Sequence, residues 1–137
     1  MHITNLEKAI DMAVLAHAGQ KLKNGLPYIT HPLAVMSKMT TEDEMIVAVL
    51  HDTLEDTSLK HDTILDVFGS RIASAVHALT RRKEQSYDEY IAAVARNPLA
   101  KAVKKQDILH NLDLTRNREV VLPVSKLNMY LSALRAL

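Results

Sequence analysis

The sequence contains no cysteine, and it has few of the features that mark secreted or membrane proteins. Without cysteine the chain forms no disulfide and no thiolate zinc site, and it offers no thiol nucleophile. It shows no signal peptide and no apolar run long enough to span a membrane. We therefore expect a cytoplasmic protein with no membrane partner.

The chain also has little net charge and few aromatic residues. The 17 basic and 16 acidic residues leave a net charge of +1, and aromatic residues make up only 4% of the chain. Because nucleic-acid binding relies on basic surfaces and on base stacking, we expect no nucleic-acid partner. The 137 residues, 47% of them hydrophobic, predict a single domain spanning residues 1–137.

Strict alternation of apolar and polar residues, the pattern of a strand, is absent, whereas apolar residues recur at helical spacing. Glycine is rare, and two of the three glycines fall in a loop at residues 19–29. We therefore predict an all-α fold, a bundle of about six to eight helices. The main predicted helices are 5–18, 30–39 with Thr30 as N-cap, 42–57, 69–82, 86–96, 97–112 and 121–137.

The most informative stretch is residues 50–57 (LHDTLEDT), which follows an apolar run inside the predicted helix 42–57. On a continuous helix, residues three and four apart share a face, so His51, Asp52, Glu55 and Asp56 would point into a common region. A buried charge needs a partner or a metal, and Lys60 is the only basic residue nearby in sequence. A solvated helix end is the structural alternative.

Two further residues complete a possible metal site. His31 stands at a predicted helix start, and Asp107 lies on the apolar stripe of helix 97–112. Alone, His31 fits a structural histidine and Asp107 fits a buried acid paired with a cation. Together with His51 and Asp52 they give two imidazoles and two carboxylates from three helices, a set that suits a divalent first-row metal.

In this order and spacing the residues resemble the H…HD…D pattern of the HD-domain metal phosphohydrolases. More narrowly, the chain resembles the (p)ppGpp hydrolase domain of RelA/SpoT proteins and the stand-alone small alarmone hydrolases. The segments that carry the resemblance extend over about residues 5–115. They are residues 16–20 (AHAGQ), 25–32 (GLPYITHP), 50–57 (LHDTLEDT), 68–69 (FG) and 104–111 (KKQDILHN).

The resemblance implies an all-helical domain with one divalent metal, usually Mn²⁺, bound between helices. It also implies hydrolysis of a nucleotide, with pyrophosphate released from the ribose 3′ position of the alarmone. The metal ligands that it implies are His31, His51, Asp52 and Asp107. In the family, residues at the positions of Glu55 and Asp56 activate or place the attacking water, and we expect these two to be catalytic.

Substrate binding is expected to involve Lys21, Lys23, Lys104 and Asn111. The resemblance implies that Asn111 contacts the substrate near the metal. The lysines, together with the basic run 81–83, could hold phosphates, although solvated side chains are their plain alternative.

The chain departs from the family at positions that contact the substrate. The two arginines of the family pattern are replaced by Leu22 and Ile108, and the neighbouring positions 106 and 113 also differ. The metal ligands are intact, so a metal-dependent phosphohydrolase with an altered substrate pocket is expected. The alternatives are an HD phosphohydrolase for another nucleotide and a non-catalytic HD domain that senses a nucleotide.

Two expectations concern the rest of the protein. The printed sequence has no synthetase domain, so a bifunctional alarmone enzyme is not expected. Apolar residues near the end of the chain either close the core or provide a surface for a homo-oligomer; they are Met129, Tyr130, Leu131, Leu134 and Leu137.

Overall fold

All regular structure in the computed structural model, which describes residues 2–116 and 121–137, is helical. Eight of the nine helices found there have seven residues or more, and α4 is a single turn. The nine are α1 (Asn5–Ala16), α2 (Thr30–Met36), α3 (Glu42–Leu50), α4 (Thr53–Asp56), α5 (His61–Phe68), α6 (Ser70–Ala78), α7 (Tyr87–Ala95), α8 (Pro98–Leu112) and α9 (Val124–Ala136). The predicted all-α fold is confirmed.

Helix α3 lies at the centre of the domain. Its last five residues, Ile46 to Leu50, are all buried, so the C-terminal half of this helix is apolar on every side. Helices that are apolar all round are surrounded by others. Here α1, α2, α6 and α8 pack against α3, and the residue that follows it, His51, is carried into the interior.

The predicted start of α3 is confirmed by its hydrogen bonds. The hydroxyl of Thr41 accepts from the backbone N–H of Glu44, and the Glu44 carboxylate accepts from the N–H of Thr41. This capping box satisfies amide groups that the helix itself leaves free. The same arrangement begins α1 at Thr4 and Glu7.

The prediction of one continuous helix over residues 42–57 is wrong. Helix α3 ends at Leu50, and the chain turns at His51 and Asp52 before the single turn of α4. The hydroxyl of Thr53 donates to the carbonyl of Leu50 (2.7 Å), which offers the backbone an alternative to the next helical bond. Asp52 adopts φ −102° and ψ 0°, outside the usual range of a helix interior.

Other predicted boundaries also differ, since helix 30–39 ends at Met36, helix 69–82 ends at Ala78 and helix 121–137 begins at Val124. Thr30 is the first residue of α2 rather than its N-cap, because its hydroxyl donates to the carbonyl of Pro27 (2.8 Å). Helix α1 ends at Ala16, with His17 as its C-cap. The chain then turns through Gly19, whose φ of +83° is readily available to glycine alone.

The last helix, α9, contributes to the core. Ala133 and Leu137 are buried, Tyr130 and Leu134 are partly buried against the core, and Leu131 stays 43% exposed. The homo-oligomer expected from this segment stays a prediction. Every helix of the described part is too short or too polar to cross a bilayer.

Candidate metal centre

Four side chains from three parts of the fold converge at one point. His31 comes from α2, His51 and Asp52 from the turn between α3 and α4, and Asp107 from α8. The Nε2 atom of His31 lies 2.9 Å from Oδ1 of Asp107 and 3.9 Å from Oδ2 of Asp52. The Nε2 atom of His51 lies 3.1 Å from the same Asp52 oxygen and 3.4 Å from the same Asp107 oxygen. The structure therefore brings together all four residues predicted as metal ligands.

Three of these four distances, 2.9, 3.1 and 3.4 Å, and the hydrogen bonding of His51 fit a bound divalent metal. Ligand atoms about 2.1 Å from one ion, at right or tetrahedral angles, stand about 3.0–3.4 Å apart. His51 donates from Nδ1 to the carbonyl of Ala48 (2.6 Å), so in the neutral ring Nε2 carries a lone pair. That Nε2 is buried and has no hydrogen-bond partner among the described residues. A metal ion would satisfy it.

The electrostatics of the cluster favour a cation. Burial alone would lower the pKa of His51, but the carboxylates of Asp52 and Asp107 outweigh it and raise this pKa well above its ordinary value. Burial works in the opposite direction on the two acids. His51 nevertheless holds the pKa of Asp52 below its usual range, and Lys104 holds that of Asp107 well below. Both carboxylates are therefore charged at neutral pH.

Lys104, predicted as a phosphate contact, lies against a proposed ligand instead. Its Nζ is 2.9 Å from Oδ2 of Asp107, and its ammonium stands 5.2 Å from the centre of the Tyr90 ring. Only Oδ1 of Asp107 is then left to face the two histidines. Asn111 donates to this Oδ1 over 3.4 Å. The phosphate contact predicted for Lys104 stays a prediction, and its amine is already engaged.

Glu55 and Asp56 lie beside the cluster on α4. Carboxylate oxygens of these two residues and of Asp52 stand within 4.8 Å of one another. Burial and then the neighbouring acids raise the pKa of Glu55, and burial and Asp52 raise that of Asp56. One oxygen of Glu55 accepts from the backbone N–H of Arg81 (3.2 Å), which fixes the side chain. Glu55 and Asp56 thus keep exposed surface, have a raised pKa and lie next to the proposed metal ligand Asp52.

A cavity of about 300 Å³ adjoins this cluster. Tyr28 and Asn111 belong both to its wall and to the cluster, because each donates to a cluster carboxylate. The wall contains Lys21 and Lys23, which were predicted to bind substrate. It also contains Leu22, which replaces an arginine of the family pattern. It also contains Asp113, Leu114, Arg116, Leu122, Lys126 and Tyr130. Four cations thus surround a space that can accept an anionic ligand.

Sequence reasoning missed three residues that hold the site together. The hydroxyl of Tyr28 donates a hydrogen bond to Asp52. The Nδ1 atom of His110 contacts the Nδ1 atom of His31. Gln20 donates to the main-chain carbonyl of Asp56. Tyr28 is three residues before His31, Gln20 is three residues after His17, and His110 is three residues after Asp107. Their presence within the quoted segments was the available signal.

Known proteins resemble this chain in sequence. The family model described as HD domain matches residues 9–116. The guanosine-3′,5′-bis(diphosphate) 3′-pyrophosphohydrolase of Aquifex aeolicus is 34% identical over 123 residues, covering 81% of this chain and 18% of that protein. The GTP pyrophosphokinase of Streptomyces coelicolor is 32% identical over 127 residues, covering 83% and 15%. The chain spans less than a fifth of the length of either relative.

A solved structure shares the architecture. It is described as a metazoan ortholog of SpoT that hydrolyzes ppGpp, and it matches with a TM-score of 0.77 and 23% identity. The match covers 99% of this chain and 84% of the other. At this identity the likeness concerns the fold, and it extends the agreement to α9, beyond the residues matched by the family model.

Proposed function

Because the chain belongs to the HD domain family, we propose that it is a metal-dependent phosphohydrolase acting on guanosine 3′,5′-bis(diphosphate). Water would cleave the ester at the ribose 3′ oxygen and release pyrophosphate and GDP. The observation that carries the proposal is the convergence of two imidazole nitrogens and two carboxylate oxygens, 2.9–3.9 Å apart, beside a cavity lined by cations. The relative from Aquifex aeolicus supports the choice of substrate.

The proposed catalytic unit is a single HD domain over residues 1–137. The proposed metal ligands are Nε2 of His31, Nε2 of His51, Oδ2 of Asp52 and Oδ1 of Asp107. Two carboxylates next to two imidazoles support Mn²⁺ as the ion, since carboxylate oxygens are ligands that Mn²⁺ accepts well. A divalent metal bound there would neutralise charge on the phosphate ester and lower the pKa of a water molecule.

Glu55 and Asp56 are proposed to orient the attacking water and take its proton. Both carboxyl groups have a raised pKa, which brings their proton affinity closer to the value that suits a general base near neutral pH. They lie next to Asp52 but keep exposed surface, so a water molecule can reach them. The bond from Arg81 keeps Glu55 from turning away.

The cations of the cavity are proposed to bind the phosphates of the substrate. Lys21, Lys23, Arg116 and Lys126 all line the space, and charge-assisted hydrogen bonds from such groups bind phosphate oxygens strongly. Asn111 stands between this wall and Asp107, where it could contact the substrate close to the metal. The proposed ligand is therefore a nucleotide with more than one phosphate group.

One observation favours a second candidate, hydrolysis of a different nucleotide by the same centre. Leu22 lines the cavity at the position where the resemblance leads us to expect an arginine. An apolar side chain cannot make the same contact with a base as a guanidinium group. The base preference is therefore the part of the proposal most open to change. A cytoplasmic location stays a prediction.

The deciding experiment measures pyrophosphate release from guanosine 3′,5′-bis(diphosphate) by the purified protein, with Mn²⁺ and with a chelator. Guanosine 5′-polyphosphates and the adenosine analogue of the alarmone are assayed alongside as alternative substrates. Release that depends on Mn²⁺ and is lost in Asp52→Ala supports the proposal. Activity on another nucleotide alone would replace the substrate, and metal binding without turnover of any nucleotide would favour a sensor.

A further inference from the structure

A turn at the end of α1 connects to the proposed catalytic acids through two polar side chains. His17 is 2% exposed, and its Nδ1 lies 2.8 Å from Oε1 of Gln20. The Nε2 of Gln20 donates to the main-chain carbonyl of Asp56 over 2.9 Å. Neither His17 nor Gln20 is among the proposed metal ligands, catalytic acids or substrate contacts. Their hydrogen bonds nevertheless end on the peptide between Asp56 and Thr57.

The carbonyl of Asp56 determines which ring nitrogen of His17 donates a hydrogen bond to Gln20. A carbonyl only accepts, so the amide group of Gln20 must present its NH₂ to Asp56 and its oxygen to His17. The His17 atom facing that oxygen must then donate, which places the ring proton on Nδ1. The remaining Nε2 is buried and has no hydrogen-bond partner in the described part of the chain.

Gln20 also supports the other side of the site through its backbone. Its N–H donates to the carbonyl of His17 (3.0 Å), and its carbonyl accepts from the N–H of Tyr28 (2.9 Å). The hydroxyl of Tyr28 in turn donates to Asp52. Gln20 is therefore joined to Asp56 by its side chain and to the partner of Asp52 by its main chain.

We infer that His17 and Gln20 are positioning residues, which fix α4 so that the carboxylates of Glu55 and Asp56 stand correctly beside Asp52. The inference rests on the proposed hydrolysis. The carbonyl of Asp56 belongs to the last turn of α4, a helix of only four residues with little internal support. A shift of that peptide would move both acids, and a displacement of about 1 Å can cost about 10²-fold in rate.

The first test is Gln20→Ala. We expect kcat to fall by about 10- to 100-fold, with KM and Mn²⁺ affinity close to those of the wild type. The metal ligands and the cations of the cavity are untouched by this change. If Gln20 were only a helix cap, Tm would fall while kcat at a temperature well below Tm stayed unchanged, and that result would overturn the inference.

A matched pair at His17 separates hydrogen bonding from packing. His17→Asn keeps a donor near the position of Nδ1, whereas His17→Phe keeps a ring and removes the donor. We expect the asparagine variant to retain much more of kcat than the phenylalanine variant. Equal losses would overturn the role assigned to Nδ1. His77→Phe, at an exposed position on α6, is the control for introducing phenylalanine.

A readout independent of turnover keeps this inference separate from the proposed function. Nitrogen-15 NMR of the ring should show a proton on Nδ1 of His17, and Gln20→Ala should shift the Thr57 amide signal. An Nδ1 without a proton, or an unchanged Thr57 signal, would contradict the inference even in an active enzyme. Inactivity of the wild type towards every nucleotide, with these signals as expected, would instead overturn the proposed function alone.

Discussion

The imidazole rings of His31 and His110 stack with their centres 4.9 Å apart, and their Nδ1 atoms are separated by 2.7 Å. At that distance one nitrogen must donate and the other must accept. If Nε2 of His31 binds a metal, Nδ1 of His31 carries the proton. This Nδ1 then donates a hydrogen bond to Nδ1 of His110. His110 is suited to this role, because burial, then Arg116 and His31, lower its pKa to about 4 and keep the ring neutral.

We expect His110→Phe to weaken Mn²⁺ binding by about 10- to 100-fold, the usual effect of removing the partner of a ligating histidine. Phenylalanine retains the stacked ring but accepts no hydrogen bond from Nδ1 of His31. Calorimetric titration with Mn²⁺ measures the change, and His77→Phe is again the control. Unaltered affinity would show that the contact between the rings does not orient His31.

Loss of a proposed ligand should have a larger effect than loss of its partner. We expect Asp52→Ala to abolish both Mn²⁺ binding and nucleotide hydrolysis, since it removes one of two carboxylates from the centre. Equilibrium dialysis with Mn²⁺ and a pyrophosphate assay check the two properties separately. Asp62→Ala, at an exposed position on α5, is a suitable control. Normal Mn²⁺ affinity in Asp52→Ala would rule out this ligand set.

Glu55→Gln is expected to separate catalysis from metal binding. The variant should bind Mn²⁺ normally, while kcat falls by about 10²- to 10⁴-fold because the amide cannot take a proton from water. Single-turnover rates at saturating Mn²⁺ give the comparison, with Glu84→Gln as the control. A variant with full kcat would require another base, for which Asp56 is the nearest candidate.

Lys104→Met tests whether this lysine supports Asp107 or binds substrate. Its side chain is only 12% exposed, and removal would leave the Asp107 carboxylate buried beside the two histidines. We expect the free energy of unfolding of the metal-free protein to fall by up to about 3–5 kcal/mol. Urea denaturation measures this, with Lys105→Met as the control. Unchanged stability together with a raised KM would identify Lys104 as a phosphate contact instead.

The capping box of α3 predicts a pH dependence of stability. Slight burial opposes the effect, but hydrogen bonds from Thr40 and Thr41 hold the pKa of Glu44 below its ordinary value of 4.5. The charged form is thus favoured in the folded state. The resulting stabilisation is complete above pH 4.5 and is lost as the pH falls through the lower pKa of the folded protein.

We therefore expect Glu44→Ala to be less stable than the wild type at neutral pH, with the difference shrinking in acid. Thr41→Ala should cost about 1 kcal/mol, as the loss of an N-cap hydroxyl usually does. Urea unfolding at a series of pH values measures both. A stability difference that did not change with pH would show that the carboxylate contributes nothing through its charge.

The sequence was sufficient for the helical class, which depends on local patterns, and for the four converging side chains, which match a family pattern. Apolar spacing and caps predict helices, and the order of His31, His51, Asp52 and Asp107 matched a known pattern. The prediction that the helix continues through His51 to residue 57 was wrong for a physical reason. Adjacent residues on a helix point about 100° apart, so two neighbours can face one centre only where the helix stops.

Residues that act through long-range contacts could not be predicted in the same way. Tyr28 reaches Asp52 across 24 positions in sequence, and Gln20 reaches Asp56 across 36. Lys104 illustrates the opposite problem. It lies within a quoted motif, but the side of Asp107 that it occupies depends on how α7 and α8 pack, through the ring of Tyr90.

The distance in sequence between His31 and Asp107 has a consequence for the unfolding of the protein. Their side chains meet although 76 positions separate them, so an ion held by both would close most of the chain into a loop. Unfolding separates the two ligands and breaks this closure, so release of the ion is coupled to unfolding and the binding free energy stabilises the folded state. Proteolysis of the ion-loaded protein should accordingly be slow, and a chelator should accelerate it without any change in sequence.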